Sequence, residues 1–325
     1  MKVFIAGIGS DLGTHIAHLL ETRRDITAIA GIDRYPPRRY LARSEFFLAR
    51  TYDHEEVADV ISSFSPDVII NFGVYEPGAR LKLAQAQKAT ATSTRGIIHG
   101  IERSENKNAH VITRSSVVVY GFADGKIKDE TSPLSPDTPY AIMCRDLEEE
   151  LKEHVAKLTI IRTAPELGAH VPHPLARILN LPALPLELRN PLSKEIGFPV
   201  ISPKDVTDLF VRAIDKTSQD SNYEVLNAAT STNATMSMAI THGKRIPFIA
   251  VGAIYPFLKQ IAYVQGAPVD EHVEMFIRRG MLVDSTSTRM KLGISSQLSA
   301  VEVIKNLYSA SGVAHETLNP REVQL

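Results

Sequence analysis

Three glycines and one carboxylate near the N-terminus have the types and spacing for dinucleotide chemistry. The run VFIAGIGSDLGTHIAHLL sets Gly7, Gly9 and Gly13 between an apolar, strand-like stretch and an amphipathic, helix-like one. Small residues let a backbone approach a pyrophosphate, and the unpaired N–H groups of a helix start, here Ser10, Asp11 and Leu12, face its negative charge. Asp33 closes the next apolar stretch, 20 residues after Gly13, where a carboxylate accepts hydrogen bonds from an adenosine ribose. The plain alternative is a tight turn beside a solvated acid, but turn and acid together point to a bound dinucleotide. Asp33 repels a 2′-phosphate and so favours NAD. Arg34, Arg38 and Arg39 follow at once and would pair with that phosphate, which keeps NADP open.

Other reactive side chains offer less. The chain has a single cysteine, which excludes an internal disulfide and any multi-cysteine zinc site and fits a reducing, cytoplasmic setting. That residue, Cys144, has no adjacent histidine in sequence and reads as a small packed side chain rather than a nucleophile. His15 and His18 share a helix face, and His170 and His173 flank a proline-rich turn, but neither pair has a cysteine or acidic partner at ligand spacing. No metal is expected. A net charge of −1 over 325 residues gives no global basic field of the kind nucleic-acid binding relies on, so nucleic acid is not expected as a partner.

The elements that must position these groups alternate between short apolar runs and longer helix-like segments. KVFIA, ITAIAGI, EFFLA, DVIINF, HVITRSSVVVY and LTIIR read as strands, rich in β-branched and aromatic residues. This is the pattern of an α/β protein with a doubly wound parallel Rossmann-type sheet and a smaller C-terminal substrate module. After Arg162 the alternation gives way to proline-rich, irregular chain. FPVISPKDVTDLFVRAI then reads as a strand and a helix capped at Ser202 with Pro203 in its first position, and YEVLN as a further strand rejoining the sheet. The expected domains are therefore 1–162 plus 198–228 for the dinucleotide, and 163–197 plus 229–325 for the substrate. The apolar stretch 246–264 is interrupted by Pro247, Gly252, Pro256 and Lys259, which argues for packing over a membrane span and leaves surface membrane contact as a lesser alternative.

The glycine turn, Asp33, VIINFG, SSVVVYG, PYAIMC, TIIRTAPELG, VISPKDV and the late VDSTSTRMKLGI resemble, in this order, the extended short-chain dehydrogenase/reductase family, in its NAD-dependent epimerase/dehydratase branch. The resemblance covers nearly the whole chain. It implies that Tyr140 exchanges a proton with a substrate hydroxyl or carbonyl while hydride moves to or from a nicotinamide. Ser116, with Ser115 as the near alternative, would hydrogen-bond the same oxygen. It further implies that Phe72, Gly73 and Tyr140 flank the cofactor, that Arg278 and Arg279 contact a substrate diphosphate, and that the chain forms a homodimer through paired helices.

Four positions depart from the family pattern. The family's lysine, one helical turn after the tyrosine, is Cys144 here. Arg50 replaces an adenine-side aspartate, Ser93 a common asparagine, and Phe198 a diphosphate-binding arginine. Without a neighbouring cation, a tyrosine with pKa about 10 is ionised in roughly one molecule per thousand at pH 7. Arg145 lies about 100° further round the helix, and the only tyrosine and lysine four apart, Tyr255 and Lys259, fall in the apolar tail. The expectation is an NAD(P)-dependent epimerase/dehydratase-like oxidoreductase acting on a sugar nucleotide or related small molecule. The alternative is a weak or inactive dinucleotide-binding protein with a sensing or scaffolding role.

Overall fold

The structure is a computed structural model that describes residues 1–313 apart from 51–52, 79–80, 123–124, 170, 172, 187–194, 196, 217–221, 250–259, 261–263, 265–268 and 296. Its centre is a sheet of β1 (Lys2–Ala6), β2 (Ala28–Asp33), β3 (Ser44–Leu48), β4 (Val68–Asn71), β5 (His110–Ser116), β7 (Lys157–Thr163) and β9 (Tyr223–Ala228). These seven strands run parallel in the order β3-β2-β1-β4-β5-β7-β9. Their near-continuous apolar sequence follows from burial on both faces: β4 is buried at all four positions and β1 at four of five. The crossovers are α1 (Asp11–Glu21), α2 (His54–Phe64), α3 (Leu83–Arg103), α4 (Pro139–His154) and α6 (Pro203–Asp215). The strand order reverses between β1 and β4, so the crevice beyond their carboxyl ends is where this architecture receives ligands.

Short pairs complete the molecule. β6 (Ile127–Lys128) joins β11 (Leu282–Val283), and β8 (Ala183–Leu186) joins β10 (Ile246–Ile249). The remaining helices are α5 (Pro174–Leu179), α7 (Met236–Gly243), α8 (Glu271–Arg278), α9 (Thr286–Leu292) and α10 (Ala300–Val313). Among the described residues no helix is long and apolar enough to cross a membrane. Much of 246–264, with Tyr255 and Lys259, lies outside them, as does His170.

Helix starts follow local chemistry. Ser10, Thr138 and Ser202 each accept a backbone N–H from the first turn of α1, α4 and α6, and Pro139 and Pro203 take first positions where no N–H is needed. Two sequence expectations change. HVITRSSVVVY is not one strand: β5 stops at Ser116, whose Oγ accepts the Val118 N–H at 3.4 Å, and Val117–Tyr120 turn into a 3₁₀ helix. A serine hydroxyl offers the backbone this alternative, while the β-branched valines that mimic a strand are simply buried. FPVIS makes only isolated bridges, Glu166 to Ile201 and Phe198 to Ala234, with Pro199 withholding a donor between them.

Buried charge fixes α4 against the sheet. Arg162 on β7 holds Glu148 on α4 through Nη2–Oε2 at 2.6 Å and Nε–Oε1 at 3.0 Å, and both side chains are at most 4% exposed. Ser115 Oγ donates to the same carboxylate at 2.5 Å, and Arg162 Nη1 donates to Tyr120 Oη at 2.9 Å. Removing one partner leaves the other charge buried alone, so Arg162→Met lowers unfolding free energy by about 3–5 kcal/mol, whereas Arg162→Met with Glu148→Leu recovers a large part of that loss; urea melts of the single and double variants measure both.

His110, at the start of β5, is held neutral by burial and by Lys157, its pKa lowered from 6.5 to about 4. The unfolded chain binds the proton first, so stability falls as pH drops from about 6.5 to about 4, a loss on the order of 2–3 kcal/mol. His110→Gln removes this contribution, and its stability difference from the parent shrinks or reverses across that window in denaturant melts at stepped pH.

Candidate cofactor cleft and reacting end

The turn from β1 into α1 forms the floor of a cleft of about 680 Å³, lined there by Ser10, Asp11 and Leu12. Gly7 sits at φ 88°, a conformation side-chain-bearing residues avoid, and a β-carbon on Gly13 would stand 2.3 Å from the Gly7 carbonyl oxygen. Ser10 ties the turn together, donating from Oγ to Gly7 O at 2.7 Å and accepting from Gly13 N at 3.0 Å. Asp33 ends β2 beside it, 8% exposed, accepting from Gly9 N at 3.0 Å and Tyr35 N at 3.3 Å. Burial raises its carboxyl pKa, with these backbone donors opposing. Phe72, buried against Phe210 with ring centroids 4.7 Å apart, forms another wall. Gly73 donates its N–H to Asn71 Oδ1 at 2.9 Å, and Ser93 Oγ donates to the same oxygen at 3.1 Å, so Ser93 serves the strand end rather than the cleft.

The cleft is rich in cations. Arg38, Arg39, Arg114, Arg177 and Lys204 line it against Asp11, Glu76 and Glu166. Asp11, a carboxylate on the first turn of α1, is paired with Arg38 Nε at 3.2 Å, which offsets its repulsion of an incoming phosphate. Arg50, which stands where the family has an adenine-side aspartate, donates its backbone N–H to Glu56 Oε1 at 2.8 Å.

Beyond the cleft lies a nook of about 10 Å³, room for about one water molecule, lined by Ser116, Tyr140, Thr163, His272 and Phe276 among others. The structure thus brings Tyr140 and Ser116 together. Tyr140 is 5% exposed, its ring rests on His272 with centroids 4.6 Å apart, and Cys144, one turn along α4, lies within electrostatic reach of its phenol. Burial holds the phenol pKa well above its ordinary value, Cys144 and Glu76 add to the rise, and Arg114 partly opposes it. Cys144 is fully buried, and burial drives its thiol well above the usual range, so it is no nucleophile. Arg145 points elsewhere, bound to Asp146 at 2.5 Å and Glu149 at 3.8 Å. Ser115, the near alternative to Ser116, is committed to Glu148.

Sequence reasoning missed the ionic group between cleft and nook. Glu76, on the loop after β4, meets His173 Nε2 at 3.2 Å through one oxygen and His272 Nε2 at 2.9 Å through the other. The two histidines hold its carboxyl pKa low against the effect of burial. His173 therefore does have an acidic partner, but one 97 residues away in sequence, and His272 comes from α8; no local spacing signals either. Arg278, on the same helix, pairs with Glu274 at 2.9 Å, and neither it nor Arg279 lines the cleft or the nook. Phe198 is buried, 1% exposed, with no cation at its place. The one trio of metal-ligand types among the described residues whose donor atoms all lie within 4.8 Å of one another, His54, Glu55 and His99, lies on α2 and α3, where Arg103 already takes Glu55 at 2.7 Å.

No curated protein matches the chain in sequence. Solved structures do match in fold. The UDP-glucose 4-epimerase of Brucella ovis in complex with NAD aligns with a TM-score of 0.73 at 14% identity, covering 95% of this chain and 98% of that one. The UDP-Glc/GlcNAc 4-epimerase of Campylobacter jejuni gives 0.71 at 15%, covering 94% and 98%. The Bordetella bronchiseptica enzyme WbmH in complex with NAD⁺ gives 0.70 at 17%, covering 97% and 99%. At such identities the likeness is one of fold, but the model of one sequence family spans residues 3–229, and the chain belongs to the NAD dependent epimerase/dehydratase family.

Proposed function

We propose that this chain is an NAD-binding oxidoreductase of the epimerase/dehydratase type, acting on a hydroxyl or keto group of a sugar nucleotide or related small molecule. The observation that carries this reading is continuity: the cleft that starts at the glycine turn shares Glu76, Arg114 and His173 with the nook that holds Ser116 and Tyr140. The residues fit the dinucleotide. The Gly7–Gly13 turn packs the protein's own chain where β-carbons would collide, a carboxylate at Asp33 beside it would disfavour a 2′-phosphate, and the surplus of cations in the cleft suits a pyrophosphate.

When bound, the nicotinamide supplies hydride exchange; the chain supplies position and protons. Tyr140, neutral throughout the ordinary pH range, donates its phenolic proton to the oxygen of a substrate carbonyl as that oxygen gains charge. Ser116, at 7% exposure, hydrogen-bonds the same oxygen. This assigns reduction as the better-supported direction, since oxidation needs a tyrosinate that burial opposes. A second reading, dinucleotide binding with little turnover, is favoured by the tight nook and by Cys144 where a cation would assist the phenol.

Titration with NADH produces a saturable fluorescence change in the parent protein, and Gly13→Val, which drives a side chain into the Gly7 carbonyl, abolishes it while circular dichroism stays native. With NADH and a panel of UDP-linked keto sugars, turnover falls by roughly 10²–10⁴ in Tyr140→Phe. Saturable binding with no turnover of any keto sugar, in parent and variant alike, would establish the second reading instead.

A further inference from the structure

Three side chains separate the cleft from the nook, and two of them are spent. Glu76 gives one oxygen to each of two histidines, and His173 uses its other ring nitrogen to accept from Leu175 N at 3.1 Å. Arg114, two residues before Ser116 on β5, is different. Its Nε donates to Thr163 Oγ1 at 3.3 Å, while among the described residues its two Nη groups have no hydrogen-bonding partner. Those groups are not sealed in the core either, for Arg114 lines both cavities and is absent from the buried atoms that lack partners. Glu166, Tyr140, Glu76 and Cys144 all lie within electrostatic reach of the guanidinium.

An open guanidinium fork is an unusual thing to hold at the mouth of a reacting site. Its donors are rigidly arranged, permanently charged and more weakly hydrated than an ammonium, so they suit paired oxygens on a ligand. Thr163 fixes the Nε side of the plane, and Thr163 is itself fixed by donating to Ser115 O at 2.9 Å. The fork is therefore pre-oriented on the sheet, at the boundary that the two cavities share.

We infer that Arg114 grips the end of the dinucleotide that reaches the boundary between cleft and nook, its Nη pair donating to the hydroxyls of the nicotinamide-side ribose, and that the same guanidinium is the positive charge facing Tyr140. This rests on the NAD-binding reading above. It also accounts for a tyrosine with Cys144, and no ammonium, one turn away on its own helix: the cation of this site comes from the neighbouring strand.

Calorimetric titration of the parent protein, Arg114→Gln and Arg114→Lys with NADH and with ADP tests it, because ADP carries the adenosine and phosphates but not the second ribose. In Arg114→Gln the NADH dissociation constant rises about 10- to 100-fold, the worth of a charge-assisted hydrogen bond, while that of ADP changes less than about twofold. Arg114→Lys falls between parent and glutamine variant for NADH. Retained ADP affinity certifies that the variants fold. An unchanged NADH affinity in Arg114→Gln, or equal losses for NADH and ADP, overturns the inference with the NAD-binding reading intact. A parent protein that binds neither ligand removes that reading and this inference with it.

Discussion

The proposed reacting end of this molecule depends on one buried ion pair. Glu148 sits two helical turns after Tyr140 on the same face of α4, and its carboxylate is gripped by Arg162 from β7 and by Ser115 from β5. Because a helix is stiff over two turns, anchoring Glu148 sets the height and rotation at which Tyr140 meets the end of β5, where Ser116 and Arg114 wait. The anchor extends further: Arg162 reaches Tyr120 Oη, Tyr120 donates to Asn227 Oδ1 at 2.8 Å, and Asn227 Nδ2 donates to Asp284 O at 3.0 Å. One polar chain thus ties α4, the strand edge and the C-terminal elements into a single register. Burying such charges costs several kcal/mol of desolvation, offset here because nearly every oxygen and nitrogen in the chain has a partner.

How much of this was legible from sequence depends on how local the cause is. The glycine turn, Asp33 and the caps at Ser202 and Pro203 were readable because each is decided within a few residues of itself. The strand β9 was readable too, as YEVLN, since period and composition carry it. The end of β5 was not: valines in SSVVVY satisfy the rule for a strand equally well whether they lie in the sheet or pack under a 3₁₀ turn. The ionic group at the cleft–nook boundary was beyond reach for a different reason. Glu76, Arg114, His173 and His272 come from four separate elements, and only the folded topology makes them neighbours.

In the family pattern the tyrosine's cation lies one turn later along the same helix, where this chain has Cys144, and the nearest cation in sequence is Arg145. The structure spends Arg145 on surface carboxylates. A residue's replacement in space need not lie near it in sequence, because the end of a parallel strand and the start of a crossover helix converge on the same crevice. Arg114 is such a neighbour.

The balance of charge at that crevice argues for chemistry that begins with a neutral phenol. Tyr140 faces two opposing influences: desolvation with the nearby Glu76 and Cys144, and the single guanidinium of Arg114. The first group wins, so the proton stays on the ring. Glu76 and Arg114 line the nook together with Ser116, so both signs of charge face the phenol there, and a proton held on the ring suits donation rather than acceptance.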